Sequence, residues 1–449
     1  MAGRVQLEAV GPQDRLFTDD PEYTYFIKNF KKHGNYSKFY NDLDFSGHIE
    51  FGEDITCVIP QNQGDLLKGV SVKITLDGID QNLVSGYDHI TYVESIAQAM
   101  IEYADLYIGG TLIHRVPSDM LAIHSELFVT QSQQRSLSKL VGKPFQVFSV
   151  FDDYYKQIRE NLVTKSKTTQ SYRVDIPFFF HNNVELAIPI HAITKQEVEI
   201  RLKLRKAEDC IFAHNDHINN NISESYYIGK NPTGLIKDMK LALEMVSLDD
   251  KAVESVIDYT ITQTQQNIFE LKHADSKYNA STLSRDHELR LGFKNSIKEL
   301  FFVVQDKFDN DTSTVNDFAT PFQYSSESNF DNHVTFTNSE QVKYIGLTCD
   351  GDEILNDVTG NLVHLRAIQP GKHHSRTPLY RRIYMYSFAL EPERWYPTGQ
   401  MNFSVVKNQL LTAGLFDYAS NKDKQLRVYA TSYNILRVEN GTATLLFNT

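Results

Sequence analysis

Chemistry needs convergent side chains, and the histidines are the first candidates. His214 and His217 bracket Asn215-Asp216 in an Asn-rich stretch. Two imidazoles three residues apart can share a metal when further ligands converge on them. No third and fourth ligand is apparent, so the pair reads as solvated loop residues. His373-His374, beside Lys372 and Arg376, reads as a basic loop patch, and nothing in the sequence supports a pH switch there. The glycines of Gly64 to Gly69 (GDLLKG) and of Ile108-Gly109-Gly110 lack the Gly-Lys-Ser/Thr ending of a phosphate loop and read as turn glycines. There is no Gly-x-Ser-x-Gly and no His-x-His, which makes a cupin-like metalloenzyme remote. No carboxylate pair can be singled out for acid–base work. No catalytic, cofactor-binding or metal-ligating residue is assigned, and the chain reads as a non-enzyme.

Asn-x-Ser/Thr sequences begin at Asn35, Asn221, Asn279, Asn310, Asn402 and Asn440. Glycan attachment needs an exposed acceptor and a glycosylating route. Asn279 and Asn310 sit in polar stretches and are the two weak acceptor candidates.

At 449 residues the chain exceeds usual single-domain size, so two domains are expected. Its 27 Phe and 24 Tyr against one Trp suit β-rich packing. A net charge of -12 argues against direct nucleic-acid binding, where a basic stripe supplies affinity. Cys57, Cys210 and Cys349 are too few and too scattered for a disulfide framework or a zinc site, which fits a reducing compartment. The opening MAGRVQLEAV lacks a signal peptide's apolar core, and apolar runs such as Leu300 to Val304 are strand-sized, so a soluble, cytosolically made protein is expected.

The elements that would position any site are mostly strands. GVSVKITL sets Val70, Val72, Ile74 and Leu76 on one face, and EVEIRLKLR sets Val198, Ile200, Leu202 and Leu204 against a charged face. Period two with one charged face predicts half-solvated antiparallel strands. IPFFFHNNVELAIPI reads as two short strands around His181-Asn182-Asn183. Helices are expected at Glu94 to Ile108 and at Ser118 to Leu137, the second N-capped by Ser118. The Asn- and Gly-rich region between Lys206 and Lys240 reads as a linker, and Asp306 to Glu340 as a long surface loop. Asn440-Gly441 predicts a type I′ hairpin pairing Leu436 with Leu445 and Val438 with Ala443, which makes the apolar chain end a strand.

Five stretches in order along the chain carry a resemblance: VQLEAVGPQDRLFTDDPEYTYF, IPFFFHNNVELAIPIHAITKQEVEIRLKLR, NSIKELFFVVQD, YSFALEPERWYPTGQMNFS and YNILRVENGTATLLFN. They resemble the major capsid proteins of the large icosahedral double-stranded DNA viruses, the nucleocytoplasmic group. The fourth is the most specific, with Ser387-Phe388-Ala389-Leu390, Pro392-Glu393, Pro397, Gly399 and Asn402-Phe403-Ser404 at the family's spacing.

The resemblance implies an all-β double jelly roll: two tandem eight-stranded antiparallel sandwiches with a few short helices in the connections. The expected division is an N-terminal arm at 1–24, a first jelly roll at 25–206, a linker at 207–235 and a second jelly roll at 236–449. It also implies homotrimeric, pseudo-hexagonal capsomers that tile an outer icosahedral shell. Implied partners are further copies of the chain, neighbouring capsomers, and minor capsid and penton proteins, with an internal membrane layer as a further candidate. The implied location is the virion, after synthesis and assembly in the host cytoplasm. Two other readings stand beside it: a minor capsid paralogue, and a jelly-roll glycan-binding or attachment protein.

Overall fold

In a computed structural model the described residues are 2–22, 24–26, 32–143, 162–214, 225–227, 232–249, 256–306, 322, 324, 340–355, 362–378, 381–416 and 423–447. Two short helices, α1 (Ala2–Glu8) and α2 (Pro12–Thr18), precede the sheets. In chain order the first half then contains β1 (Tyr36–Asp44), β2 (Asp54–Ile59), β3 (Leu66–Leu76), β4 (His89–Tyr92), α3 (Ile96–Ala99), β5 (Ile101–Ile108) and β6 (Thr111–Pro117). After these come α4 (Ser118–Leu127), α5 (Gln134–Val141), β7 (Gln170–Asp175), β8 (Ile188–Pro189), β9 (Val198–Leu204), β10 (Ile211–His214), β11 (Ser225–Tyr227) and β12 (Ile236–Leu248).

One sheet of this half has the order β1-β12-β3-β7, with β8 also on β3; a second is β2-β9-β5-β6, and a third, of three strands, is β11-β10-β4. Val70, Val72 and Ile74 of β3 and Ile200, Leu202 and Leu204 of β9 are buried in one common core, as period two predicts. The opposite face of β9 carries ion pairs, Arg201–Glu199 and Lys203–Asp54.

The second half contains β13 (Val256–Leu271), β14 (Lys277–Asn279), β15 (Ser284–Arg290), β16 (Ser296–Asp306), β17 (Val342–Cys349) and β18 (Asp352–Leu355). It closes with β19 (Tyr384–Ser387), β20 (Met401–Asn402), β21 (Gln409–Phe416), β22 (Lys424–Glu439) and β23 (Thr442–Leu445). Its sheets are β13-β22-β16-β19, with β20 on β16 and β23 on β22, and β14-β15-β21-β17-β18. Every strand pair in both halves is antiparallel. The architecture is therefore a pair of sandwiches with few helices, as the all-β expectation had it.

Several local expectations change. Glu94 to Ile108 is one helical turn, α3, followed by β5, which lies between β9 and β6. Pairing on both edges outweighs the helical spacing of its apolar residues. Ser118 does not cap α4: Pro117 holds the cap position, and the helix stops at Leu127 before α5 resumes at Gln134. IPFFFHNNVELAIPI forms no hairpin; Phe178, Phe179 and Phe180 are buried as an aromatic cluster, and only Ile188–Pro189 is strand, paired with β3.

β12, expected to open the second sandwich, is hydrogen-bonded between β1 and β3 of the first. Part of the expected linker is also strand, since β10 pairs with β4 and β11.

Candidate functional site: the seam between the two sandwiches

Strand β16 contains the run Leu300-Phe301-Phe302-Val303-Val304, all fully buried. A continuous apolar strand must be covered on both faces. Leu300, Phe302 and Val304 enter the second sandwich's core, together with Leu426, Val428 and Ala430 of β22. Phe301, Val303, Met385 and Tyr429 belong instead to the core of the first. The sheet β13-β22-β16-β19 is thus a wall shared by both halves, and its first-sandwich face is the seam.

Helix α4 of the first sandwich supplies the charges that lock this seam. Asp119 Oδ2 accepts a 2.8 Å bond from Arg427 Nη1 and another from the Tyr429 hydroxyl; Oδ1 accepts from Tyr324 at 2.5 Å. Burial raises the Asp119 carboxyl, but Arg427 and the two hydroxyls outweigh it and hold it below the usual range. Two turns along, Glu126 meets Lys143 of its own half and, across the seam, Arg376 at 3.3 Å and Arg381 at 3.8 Å. Burial raises this carboxyl too, yet Lys143, Arg381 and Arg376 bring it down to about 2. Tyr324 and Phe322 belong to the tract expected to lie at the surface, and both are buried. That expectation is corrected at these two residues; most of the tract lies outside the described residues.

His374, expected in a basic loop patch, is enclosed between carboxylates. Its side chain has no exposure, Nδ1 lies 3.1 Å from Glu393 Oε1, and Nε2 lies 3.2 Å from Glu299 Oε2. Burial lowers the imidazole's basicity, but the two carboxylates prevail and raise it. Sequence reasoning missed this because both carboxylates come from distant chain positions. Only the neighbouring His373 keeps an exposed role, with Nδ1 3.0 Å from the Leu390 carbonyl.

Beside His374, across Phe128, lies a seam cavity of about 200 Å³ lined by both halves, including His114, His124, His181, Lys298, Glu299, Glu393 and Trp395. His124 stacks on Phe128 at 4.9 Å and meets His181 edge-on at 5.6 Å.

The closing hairpin forms as predicted. Asn440 and Gly441 both have positive φ, and Leu436 pairs Leu445 while Val438 pairs Ala443. Its apolar face packs on the first sandwich, however, where Leu436, Val438 and Ala443 join that core. Lys195 N donates to Gly441 O at 3.0 Å, and Ala443 N donates to Gln196 Oε1 at 2.6 Å.

The remaining sequence candidates do not converge. His214 ends β10, whereas His217 and Asn310 lie outside the described residues. Asn279 is engaged, donating to Asp286 Oδ2 at 2.9 Å and accepting from Ser281 Oγ at 2.7 Å. Gly109 and Gly110, both at positive φ, close the β5–β6 turn. Gly64 precedes β3, where Asp65 Oδ2 accepts from Leu248 N. Among the described residues no cluster of three or more His, Cys, Asp or Glu could hold a metal, and no helix is long and apolar enough to cross a membrane.

Two antiparallel sandwiches sharing a buried wall, with ionic and aromatic contacts between them, define a double jelly roll. Residues 24–229 match the family described as major capsid protein N-terminus, and residues 250–444 match large eukaryotic DNA virus major capsid protein. The chain belongs to this family, the major capsid proteins of the nucleocytoplasmic large DNA viruses.

It is similar to the major capsid protein of Phaeocystis pouchetii virus, at 26% identity over 99% of each chain. The fold matches the PBCV-1 virus capsid chain with a TM-score of 0.69, 18% identity and coverage of 95% and 100% of the two chains. It matches the Faustovirus major capsid protein with a TM-score of 0.68, 11% identity and coverage of 96% and 94%. The chain is a structural component of an icosahedral virion shell and self-assembles into capsomers.

Proposed function

We propose that three copies form a homotrimeric, pseudo-hexagonal capsomer in which the two sandwiches of each chain act as one rigid wall segment. The observation that carries this is the wall sheet β13-β22-β16-β19, whose central strands β16 and β22 send side chains into both cores. Two sandwiches fixed side by side, repeated about a threefold axis, give six similar walls. That outline tiles a shell, and closed symmetric assembly is the general rule for oligomers. Obligate interfaces of this kind bury more than ~2,000 Å².

In this reading the first domain runs through β12 and the second opens with β13, a boundary supported by the pairing of β12 with β1 and β3. The arm, with Val5, Leu7, Leu16 and Phe17 exposed, is assigned to contact a neighbouring capsomer, minor capsid and penton proteins or an internal membrane layer. Assembly takes place in the host cytoplasm.

Native mass of the full chain, with its copy number in purified particles, tests the reading. A trimer abundant in virions is expected. A stable monomer would overturn the trimer, and a low-copy trimer would identify a minor capsid paralogue. A soluble oligomer with measurable sugar affinity and no shell incorporation would favour the attachment-protein reading. Peptide mass mapping at Asn279 and Asn310 tests glycan attachment.

A further inference from the structure

Three histidines from separate parts of the chain line the seam cavity, and a fourth, His374, lies just behind its wall against Phe128. His114 comes from β6, His124 from α4, His181 from the loop after β7, and His374 from the second sandwich. Only His374 has carboxylate partners, Glu299 and Glu393. His114 Nε2 lies 3.3 Å from Thr264 Oγ1 of β13, while its buried Nδ1 has no partner. His124 faces Phe128 and His181 and has no carboxylate beside it.

We propose that this cavity is an acid-sensitive latch: protonation of His124 and His181 loosens the seam around it while the Asp119 and Glu126 clamps of α4 hold.

The charges facing the cavity explain the asymmetry. β16 presents Lys298 and Glu299, but Lys298 Nζ already donates to the Pro392 carbonyl at 2.8 Å and Glu299 is taken by His374. The 392–395 segment presents Glu393, committed to His374 and Ser375, and Arg394, paired with Glu391. β13 and β22 present only threonines, Thr262, Thr264 and Thr431. From the first sandwich's own sheet Asp175 and Glu244 favour a charge on His181 and Lys68 opposes it, but Glu244 is paired with Lys68 and Asp175 with Arg173. A second proton in the cavity therefore meets cations and committed acceptors.

The protonation preferences agree. Burial, then His181 and His374, push the His124 imidazole down to about 3; burial and Lys298 do the same to His114; burial lowers His181. Each is lowered in the closed seam, so its contribution is complete above the ordinary imidazole value of 6.5 and is lost as pH falls below it. His374 is raised and has the opposite sign, so it does not drive acid opening.

The chain's one tryptophan, Trp395, lines this cavity and reports on it. The experiment follows Trp395 emission of the full-length assembled protein from pH 8 to 4.5. It also follows hydrogen exchange at pH 7.5 and 5.5, corrected for intrinsic rates.

The expected result is a reversible emission change beginning below about pH 6.5. Faster exchange should appear in peptides spanning 176–186 and 390–396 but not 424–430. In the H124N/H181N variant the emission midpoint should fall by about one pH unit or more. Flat emission to pH 4.5, an unchanged midpoint in the variant, or an emission change without faster exchange would overturn the latch. If the variant fails to fold, the exchange pattern of the wild-type protein decides alone.

Discussion

Asp119 of the first sandwich and Arg427 of the second form a buried ion pair at 2.8 Å, 308 residues apart in the chain. The carboxylate also accepts from Tyr324 and Tyr429, so one side chain organises three partners at the seam. Removing one member of such a pair leaves the other charge uncompensated. Asp119→Ala is expected to destabilise the folded chain by about 3–5 kcal/mol. Denaturant unfolding of D119A, D119A/R427M and R427M measures this, and the double variant should recover part of the loss.

Acid should act on the clamps in a lower window than on the histidine cavity. The Glu126 carboxyl is held near 2 in the folded chain, against 4.5 ordinarily. A lowered carboxyl contributes stability that is complete above 4.5 and is lost as pH falls through 2. Thermal unfolding midpoints should therefore fall steeply below about pH 4.5 in the wild-type protein. Glu126→Gln should lower the midpoint at pH 7 and flatten that acid limb.

Gly441 combines a φ of +83° with a tight approach: an added Cβ would lie 2.6 Å from Thr194 Oγ1. Backbone strain and the clash act together, so Gly441→Ala is expected to cost about 1–3 kcal/mol. Gly110 also has positive φ but open space around it, so Gly110→Ala should cost only the backbone strain. Comparing the two variants by denaturant unfolding separates the clash from the strain.

Deleting residues 442–449 removes β23 from β22 and uncovers Leu436 and Val438. An exposed apolar strand edge invites edge-to-edge pairing. Size-exclusion chromatography should show aggregation; soluble capsomers of native size would contradict the role assigned to the hairpin.

Cys57, Cys210 and Cys349 are buried and free. Burial pushes the Cys57 thiol up to about 11 and the Cys210 thiol up to about 12, which suppresses the reactive thiolate. A chromogenic disulfide reagent should find no fast-reacting thiol in the native protein and three after denaturation.

What the sequence determined by itself was whatever depends on neighbours along the chain. Alternation placed Val70, Val72, Ile74 and the β9 face correctly in the first core, because side-chain direction in a strand repeats every two residues. Asn440-Gly441 set the hairpin register, because only a few residue types tolerate positive φ at both turn positions. The apolar run Leu300 to Val304 read as strand-sized, and it lies in β16.

What covers the two faces of β16 comes from segments far apart in the chain. Asp119, Arg427, Glu126, Arg376, His374 and Glu299 are unremarkable residues until folding brings them together. Ion pairs and packing between distant segments depend on separation in space, which local periodicity does not encode. The same reason paired β12 with β1 and β3 and turned an apparent helix into β5: a strand's identity lies in the partners that satisfy its backbone, and those partners are distant in the chain.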